Sequence, residues 1–277
     1  MRIEDLDGPR VKPEATQSTL DVLAWLGLDY DGETLTQSDH LPVYRQAMEH
    51  LAARNVIYAC SLTRREIEAA ASAPHDDDPA LPVVTRFRPA PEDAPERFRF
   101  RDAGENYRLV VPPGSVRFHD ELRGEQALDP ARTAGDFPVW TKRGTPSYQL
   151  SVVVDDIRQG VTDVVRGDDL LDSAARQVLL YRHFDAAPPR WWHLPLVVGE
   201  DGRRLAKRHG DTRLTHYRAA GVPPERIIGL LAWWCGIGLA PEPMAAPEFR
   251  EAFRVDALPA SAVTFSARDD AWLLESN

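Results

Sequence analysis

Leu194-Pro195-Leu196-Val197-Val198-Gly199-Glu200-Asp201-Gly202-Arg203-Arg204-Leu205-Ala206-Lys207-Arg208-His209-Gly210 is the stretch on which the fold reading turns. An apolar strand, Leu194 to Val198, runs into a glycine-bearing turn and then into a dense cluster of cations. Chemistry at a nucleotide α-phosphate needs movable positive charge to match the charge that builds on the phosphoryl oxygens. A lysine on a flexible loop supplies it once the substrates have bound. Taken alone, the cluster also reads as a solvated charged loop. Its setting makes it informative, because the chain around it carries a formal net charge of −10.

The 277 residues are 43% hydrophobic, enough to pack one large domain or a pair of modest ones. No apolar run approaches the ~20 residues that span a bilayer. The start, Met1-Arg2-Ile3-Glu4-Asp5-Leu6-Asp7, is charged from its second residue and lacks the apolar centre of a signal peptide. A soluble cytoplasmic protein with no membrane partner is therefore expected. The negative balance argues against a general coat for nucleic acid, but not against a local basic surface. Cys60 and Cys235 form no CxxC pair, and both are expected to be reduced.

Periodicity places elements on either side of that stretch. Pro13-Glu14 opens a helix with Leu20, Leu23 and Ala24 on one face and Gly27 as its cap. A second helix begins near Pro42, with Tyr44, Ala47, Met48 and Leu51 at i, i+3, i+4, i+7 spacing. Val56 to Cys60 reads as a short buried strand. The order helix, strand, helix suits an α/β domain. Residues 73–95 hold His75-Asp76-Asp77-Asp78 and a series of prolines, and read as a loop-rich insertion whose acids are solvated rather than metal-binding.

Tyr107 to Val111 and Ser115 to His119 read as strands joined by a turn at Pro112-Pro113-Gly114. Tyr148 to Asp156 reads as a buried strand that delivers Asp155 and Asp156 at its end, where ligands of open parallel sheets sit. Val161 to Val165 is a further strand, leading into Arg166-Gly167-Asp168-Asp169, and Ser173 to Phe184 is a helix. From Pro223 the pattern is helical, with Ile227, Leu231 and Trp234 or Cys235 inward.

At this point a resemblance enters. Arg204-Leu205-Ala206-Lys207-Arg208 resembles the KMSKS loop of class I tRNA synthetases, in the KLSKR form followed by His-Gly that glutamyl enzymes use. It departs by Arg204 for the first lysine and Ala206 for the serine; Lys207 matches the second, ATP-contacting lysine. Ser147-Tyr148-Gln149-Leu150 with Val152 to Asp156, then Val165 to Leu171, then Arg176-Gln177, is similar in order and spacing to the family's second sheet half. The resemblance implies that Tyr148 and Arg166 contact glutamate. Arg2-Ile3-Glu4-Asp5-Leu6-Asp7, with Arg10 and Pro13-Glu14-Ala15 after it, resembles the R-[IF]-E-D-T-D block, whose glutamate contacts the substrate amino group, so Glu4 is the candidate. A guanidinium is the bidentate partner of a carboxylate, and a carboxylate is the partner of an ammonium. Taken singly, Arg166 also reads as a surface ion-pair partner, Tyr148 as a core residue and Glu4 as a cap.

The blocks cover most of residues 1–240 in the family's order, closest to the glutamyl-queuosine tRNA(Asp) synthetases, which lack an anticodon domain. Two departures stand out. The family's first strand, its R-F-A-P-S-P glutamate contacts and its HIGH motif precede the R-[IF]-E-D block, and the sequence as read begins inside that block. Either a misassigned start or a true truncation accounts for this, and a misassigned start is the expectation. The family's insert often binds zinc through C-x-C, but Tyr58-Ala59-Cys60-Ser61-Leu62 keeps only the first cysteine, so zinc is not expected.

The resemblance thus implies an α/β class: a Rossmann-like parallel sheet with an inserted α+β acceptor-binding subdomain and a short C-terminal helical region. Its expected divisions are 1–59, 60–135, 136–214 and 215–277. Lys207 would serve catalysis, Arg204, Leu205, Ala206, Lys207 and Arg208 would bind ATP, and Glu4, Tyr148 and Arg166 would bind glutamate. The implied activity is activation of L-glutamate with ATP and Mg²⁺, then transfer to the queuosine base of tRNA(Asp), by a monomer. Two alternatives stay open: a truncated glutamyl-tRNA synthetase that charges tRNA(Glu), and a non-catalytic remnant that binds nucleotide or tRNA.

Overall fold

In the computed structural model, the residues described are 1–6, 13–62, 66, 85, 87–90, 92, 94–102, 104–205 and 212–275. The Asp76 to Asp78 run, Arg10, and Ala206 to Gly210 lie outside them. The chain forms two compact units, one of Arg2–Gly8 with Leu35–Leu194, the other of Met1, Pro9–Thr34 and Pro195–Asn277.

The first unit is built on three small sheets. Strands β1 (Arg2–Ile3) and β2 (Leu35–Thr36) pair in parallel. Strands β3 (Ile57–Ala59), β4 (Tyr107–Leu109), β7 (Pro138–Thr141) and β8 (Thr145–Pro146) form an antiparallel sheet in that order. Strands β5 (Val116–Asp120), β6 (Gly124–Leu128), β9 (Asp163–Gly167) and β10 (Arg190–Leu194) form the sheet that positions the site, in the order β6-β5-β10-β9. β10 runs parallel to both of its neighbours. The Leu171–His183 helix provides the crossover that parallel strands β9 and β10 require. Around these sheets the core gathers Tyr44, Met48 and Leu51, the spaced residues of the Leu41–Ala53 helix, with Tyr107, Trp140, Leu150 and Trp191.

Three strand readings are corrected here. Tyr148 to Asp156 is not a strand: Tyr148–Gln159 is a helix. Ser147 caps its start by accepting from the Leu150 N–H, and Gly160 ends it in the left-handed conformation at φ +64°. Val152, Val153 and Val154 favour strands in isolation, yet this helix is enclosed on nearly every face, against the Leu41–Ala53 and Leu171–His183 helices and β7. Asp155 and Asp156 consequently sit in the core. Pro112 to Gly114 is not a hairpin turn but the link between two sheets, since β4 pairs with β3 and β7 while β5 pairs with β6 and β10. Leu194 to Val198 is not one strand either. Pro195, which has no N–H to donate, separates β10 from β11 (Val197–Val198).

In the second unit β11 pairs in parallel with β12 (Val263–Thr264). Its core joins Val22 and Leu26 to Tyr217, Val222, Ile227, Ile228, Leu230 and Leu273. Within the Pro224–Trp234 helix the inward face is Ile227, Ile228 and Leu230, whereas Leu231 is 38% exposed, contrary to its expected inward place. Gly229 is required there: a Cβ would stand 1.8 Å from the Glu242 carbonyl oxygen.

Candidate active site

Glu4 and Tyr148 line one cleft of the first unit. Its volume is about 630 Å³, and Gln37, Arg143, Ser147 and Ser151 share its walls. Glu4 stands just beyond β1. Arg2 donates to its Oε1 from Nε at 3.1 Å and from Nη2 at 3.0 Å, while Oε2 has no hydrogen bond among the described residues. Arg2 is anchored in turn, donating to Asp156 Oδ1 at 2.6 Å and Gln159 Oε1 at 2.9 Å. Burial pushes the Arg2 guanidinium down, but the Asp156 and Glu4 carboxylates outweigh it and hold it above its ordinary value. Asp5 secures the end of β1 by accepting from the Ser38 N–H and hydroxyl.

Tyr148 is the first residue of its helix and is 41% exposed. Its hydroxyl lies within reach of the Arg166 guanidinium, so the cleft and Arg166 meet at this ring. Arg166 projects from β9, where its register partner on β10 is His193. It donates from Nε to His193 Nε2 at 3.0 Å, from Nη1 to Gln177 Oε1 at 2.9 Å and from Nη2 to the Leu170 carbonyl at 3.3 Å. The guanidinium lies over the Trp191 ring, 4.9 Å from its centroid. Of its five N–H groups these bonds leave one on each terminal nitrogen. None of these three hydrogen-bond acceptors is a carboxylate. Burial therefore holds the Arg166 guanidinium below its ordinary value, with Tyr148, Asp156 and Tyr181 offsetting part of the shift. It stays charged, because an arginine does not lose its proton in a protein. A partly buried cation whose direct hydrogen-bond acceptors are all neutral can accommodate an anion.

Asp155 and Asp156, which the sequence suggested would meet a ligand, are structural acids. Asp155 accepts from Gln37 Nε2 at 2.8 Å and the Tyr44 hydroxyl at 2.7 Å. Asp156 accepts from Arg2 and from the Tyr181 hydroxyl. Asp168 pairs with Arg123 at 2.7 Å.

The cation stretch belongs to the other unit. Gly199 to Arg203 close a tight turn, with the Gly199 N–H donating to the Arg203 carbonyl at 2.8 Å and Gly202 at φ +70°. Arg204 bridges back to Val198 and is exposed, and Leu205 follows it. Ala206, Lys207 and Arg208 lie outside the described residues.

Sequence reasoning missed the residues that hold the site: Arg2, Gln177, His193 and Asp120. A signal existed for His193. In Arg190-Trp191-Trp192-His193-Leu194 it shares a strand face with Trp191, and a histidine on an apolar face needs polar partners. Nothing local connected it to Asp120, which is far away in the chain.

Residues 1–268 match the family described as tRNA synthetases class I (E and Q), catalytic domain. A glutamyl-Q tRNA(Asp) synthetase of Rhodopirellula baltica is 46% identical over 263 residues, which are 89% of this chain and 77% of that protein. One from Symbiobacterium thermophilum is 40% identical over 96% of this chain and 85% of its own length. Among solved structures, a glutamate tRNA ligase from Elizabethkingia meningosepticum, crystallised in complex with its amino acid, superposes with a TM-score of 0.77 at 23% identity. That likeness shows the fold, covering 98% of this chain and 61% of the ligase.

Proposed function

This chain belongs to the class I tRNA synthetase (E and Q) catalytic-domain family, and from that premise we propose that it activates L-glutamate with ATP and transfers the glutamyl group to the queuosine base of tRNA(Asp). The observation that carries the reading is Arg166: a partly buried guanidinium with only neutral hydrogen-bond acceptors, next to a cleft that also holds Glu4 and Tyr148. Glu4 and the exposed Arg143 line that cleft, and Arg166 adjoins it through Tyr148. An amino acid with an acidic side chain offers the matching set.

The roles follow from the chemistry. In activation, an α-carboxylate oxygen of glutamate bonds to the α-phosphorus of ATP and pyrophosphate leaves with the electrons of the broken P–O bond. The α-carboxylate must stay free for this attack, so Arg166 holds the side-chain carboxylate, with Tyr148 beside it. Glu4 holds the ammonium. Transfer follows when a hydroxyl of the tRNA base attacks the activated carbonyl carbon and AMP departs. Lys207, with Arg204, Leu205, Ala206 and Arg208 around it, would steady the charge that builds on the phosphate. Mg²⁺ would accompany ATP and would offset the negative charge of its phosphates. The relatives' names support the choice of tRNA(Asp), and tRNA sets the location as the cytoplasm. No helix among the described residues is long and apolar enough to cross a membrane.

The test is ATP–pyrophosphate exchange by the full-length gene product, followed by glutamylation of queuosine-containing tRNA(Asp) and of tRNA(Glu). Exchange that depends on glutamate, with label reaching only tRNA(Asp), is the expected result. Label on the 3′ end of tRNA(Glu) would overturn the choice of acceptor, and absence of exchange would overturn the activity.

A further inference from the structure

We infer that His193, braced by Asp120, is a positioning residue that fixes Arg166 in place without neutralising its charge. The inference rests on the reading of Arg166 as the group that holds the side-chain carboxylate of glutamate.

Geometry assigns the protons. Arg166 Nε is a donor, so His193 Nε2, at 3.0 Å, must offer its lone pair. The imidazole is then neutral, and its proton sits on Nδ1, 2.5 Å from Asp120 Oδ2. Asp120 is the acceptor in this pair, and its second oxygen is held by the backbone N–H groups of Leu122 and Arg123. Both Asp120 and His193 are fully buried. The three residues form a row across the adjacent strands β5, β10 and β9, in which Asp120 is register partner of Trp191, and His193 of Arg166. Trp191, on the same face of β10 as His193, lies under the guanidinium, whose central carbon is 4.9 Å from the ring centroid.

The spacing decides the function. Were Asp120 bonded to Arg166 directly, it would satisfy the guanidinium and compete with a substrate carboxylate. With an imidazole between them, orientation is transmitted and charge is not. Gln177 repeats the device on Nη1 with another neutral acceptor. The relay thereby makes Arg166 selective for an acid over the isosteric amide, because only an anion gains from a bare cation held still.

Two measurements on the full chain test this. In the wild type, ring nitrogen NMR should show His193 as the neutral Nδ1–H tautomer, a reading independent of any substrate. In exchange kinetics, His193→Leu should raise the KM for glutamate about tenfold and lower the preference for glutamate over glutamine by a similar factor, with the KM for ATP within about twofold. His193→Gln, whose amide can accept from Arg166 and donate to Asp120, should stay within about threefold of wild type. Asp120→Asn should mix the ring tautomers and give an intermediate KM. An Nε2–H tautomer in the wild type overturns the relay. So does a His193→Leu enzyme whose glutamate KM is unchanged while Arg166→Lys raises it. If Arg166→Lys leaves glutamate binding untouched, the assignment of Arg166 falls, and the relay's role in selection falls with it; the tautomer signal then still separates the two failures.

Discussion

Arg2 on β1 and Arg166 on β9 are both partly buried arginines, and burial pushes both guanidinium groups down. Their surroundings then diverge. Arg2 is ion-paired with Glu4 and with the buried Asp156, which lift it above its ordinary value. Arg166 bonds to an imidazole, an amide and a carbonyl, with the Tyr148 hydroxyl beside it, and remains below. The same side chain is thus ion-paired in one place and given only neutral hydrogen-bond acceptors in the other. What distinguishes them is whether the nearest acceptor carries charge. Arg143, on the cleft that Glu4 lines, is a third case: it is exposed, and its side chain makes no hydrogen bond among the described residues.

The sharpest way to break this contrast is to remove each arginine in turn. Arg2→Met leaves the Asp156 carboxylate buried without its cation, and should cost about 3 kcal/mol in urea unfolding. Arg166→Met should cost less stability than Arg2→Met but raise the glutamate KM about 100-fold in exchange kinetics, the loss of a charge-assisted contact. Equal stability losses with an unchanged KM would erase the distinction.

Acid should sharpen it. Burial lowers the His193 pKa, so in the window below its ordinary ~6.5 the unfolded chain binds a proton that the folded chain excludes. Stability is therefore complete above that window and lost as pH falls through it. Asp120 acts in the same direction at lower pH: burial raises it, but the hydrogen bonds from His193, Arg123 and Leu122 prevail and hold it below the usual carboxylate range. Unfolding followed from pH 7.5 to 5.5 should show stability falling with pH in wild type. A shallower profile in His193→Gln is the matching result, the remainder belonging to His183, whose pKa burial also lowers. An equal slope in both would assign the acid sensitivity elsewhere. The smallest effect belongs to Arg143→Ala. Unfolding should be indistinguishable from wild type, with a glutamate KM raised about twofold at low salt and restored by salt, as for a screened surface charge.

Much of the fold was legible where one element carries its own signal. Tyr44, Ala47, Met48 and Leu51 marked a buried helical face, and they are buried on one. The Val152 to Val154 run misled because its residues prefer strands in isolation. The capping signals at Ser147 and Gly160 were in the sequence, and they decided the local structure together with packing on all sides. Glu4, Tyr148 and Arg166 stood out through their resemblance to a family; Glu4 and Tyr148 line one cleft, and Arg166 lies beside Tyr148 outside its lining. The residues that hold them were not legible. Asp120 meets His193 across 73 positions of chain, and Arg2 meets Asp156 across 154.

The sequence by itself determined which chemical groups are available: the order of the blocks, the helix faces, the turn at Gly199 to Gly202 with the cation stretch after it, and the presence of an arginine after Val165. Only the tertiary structure decided what surrounds that arginine. The parallel register of β9 on β10 sets Arg166 opposite His193, and β5 brings Asp120 behind it. Charge states in a protein follow from burial and from neighbours a few ångströms away, and neither quantity is written in any local run of residues.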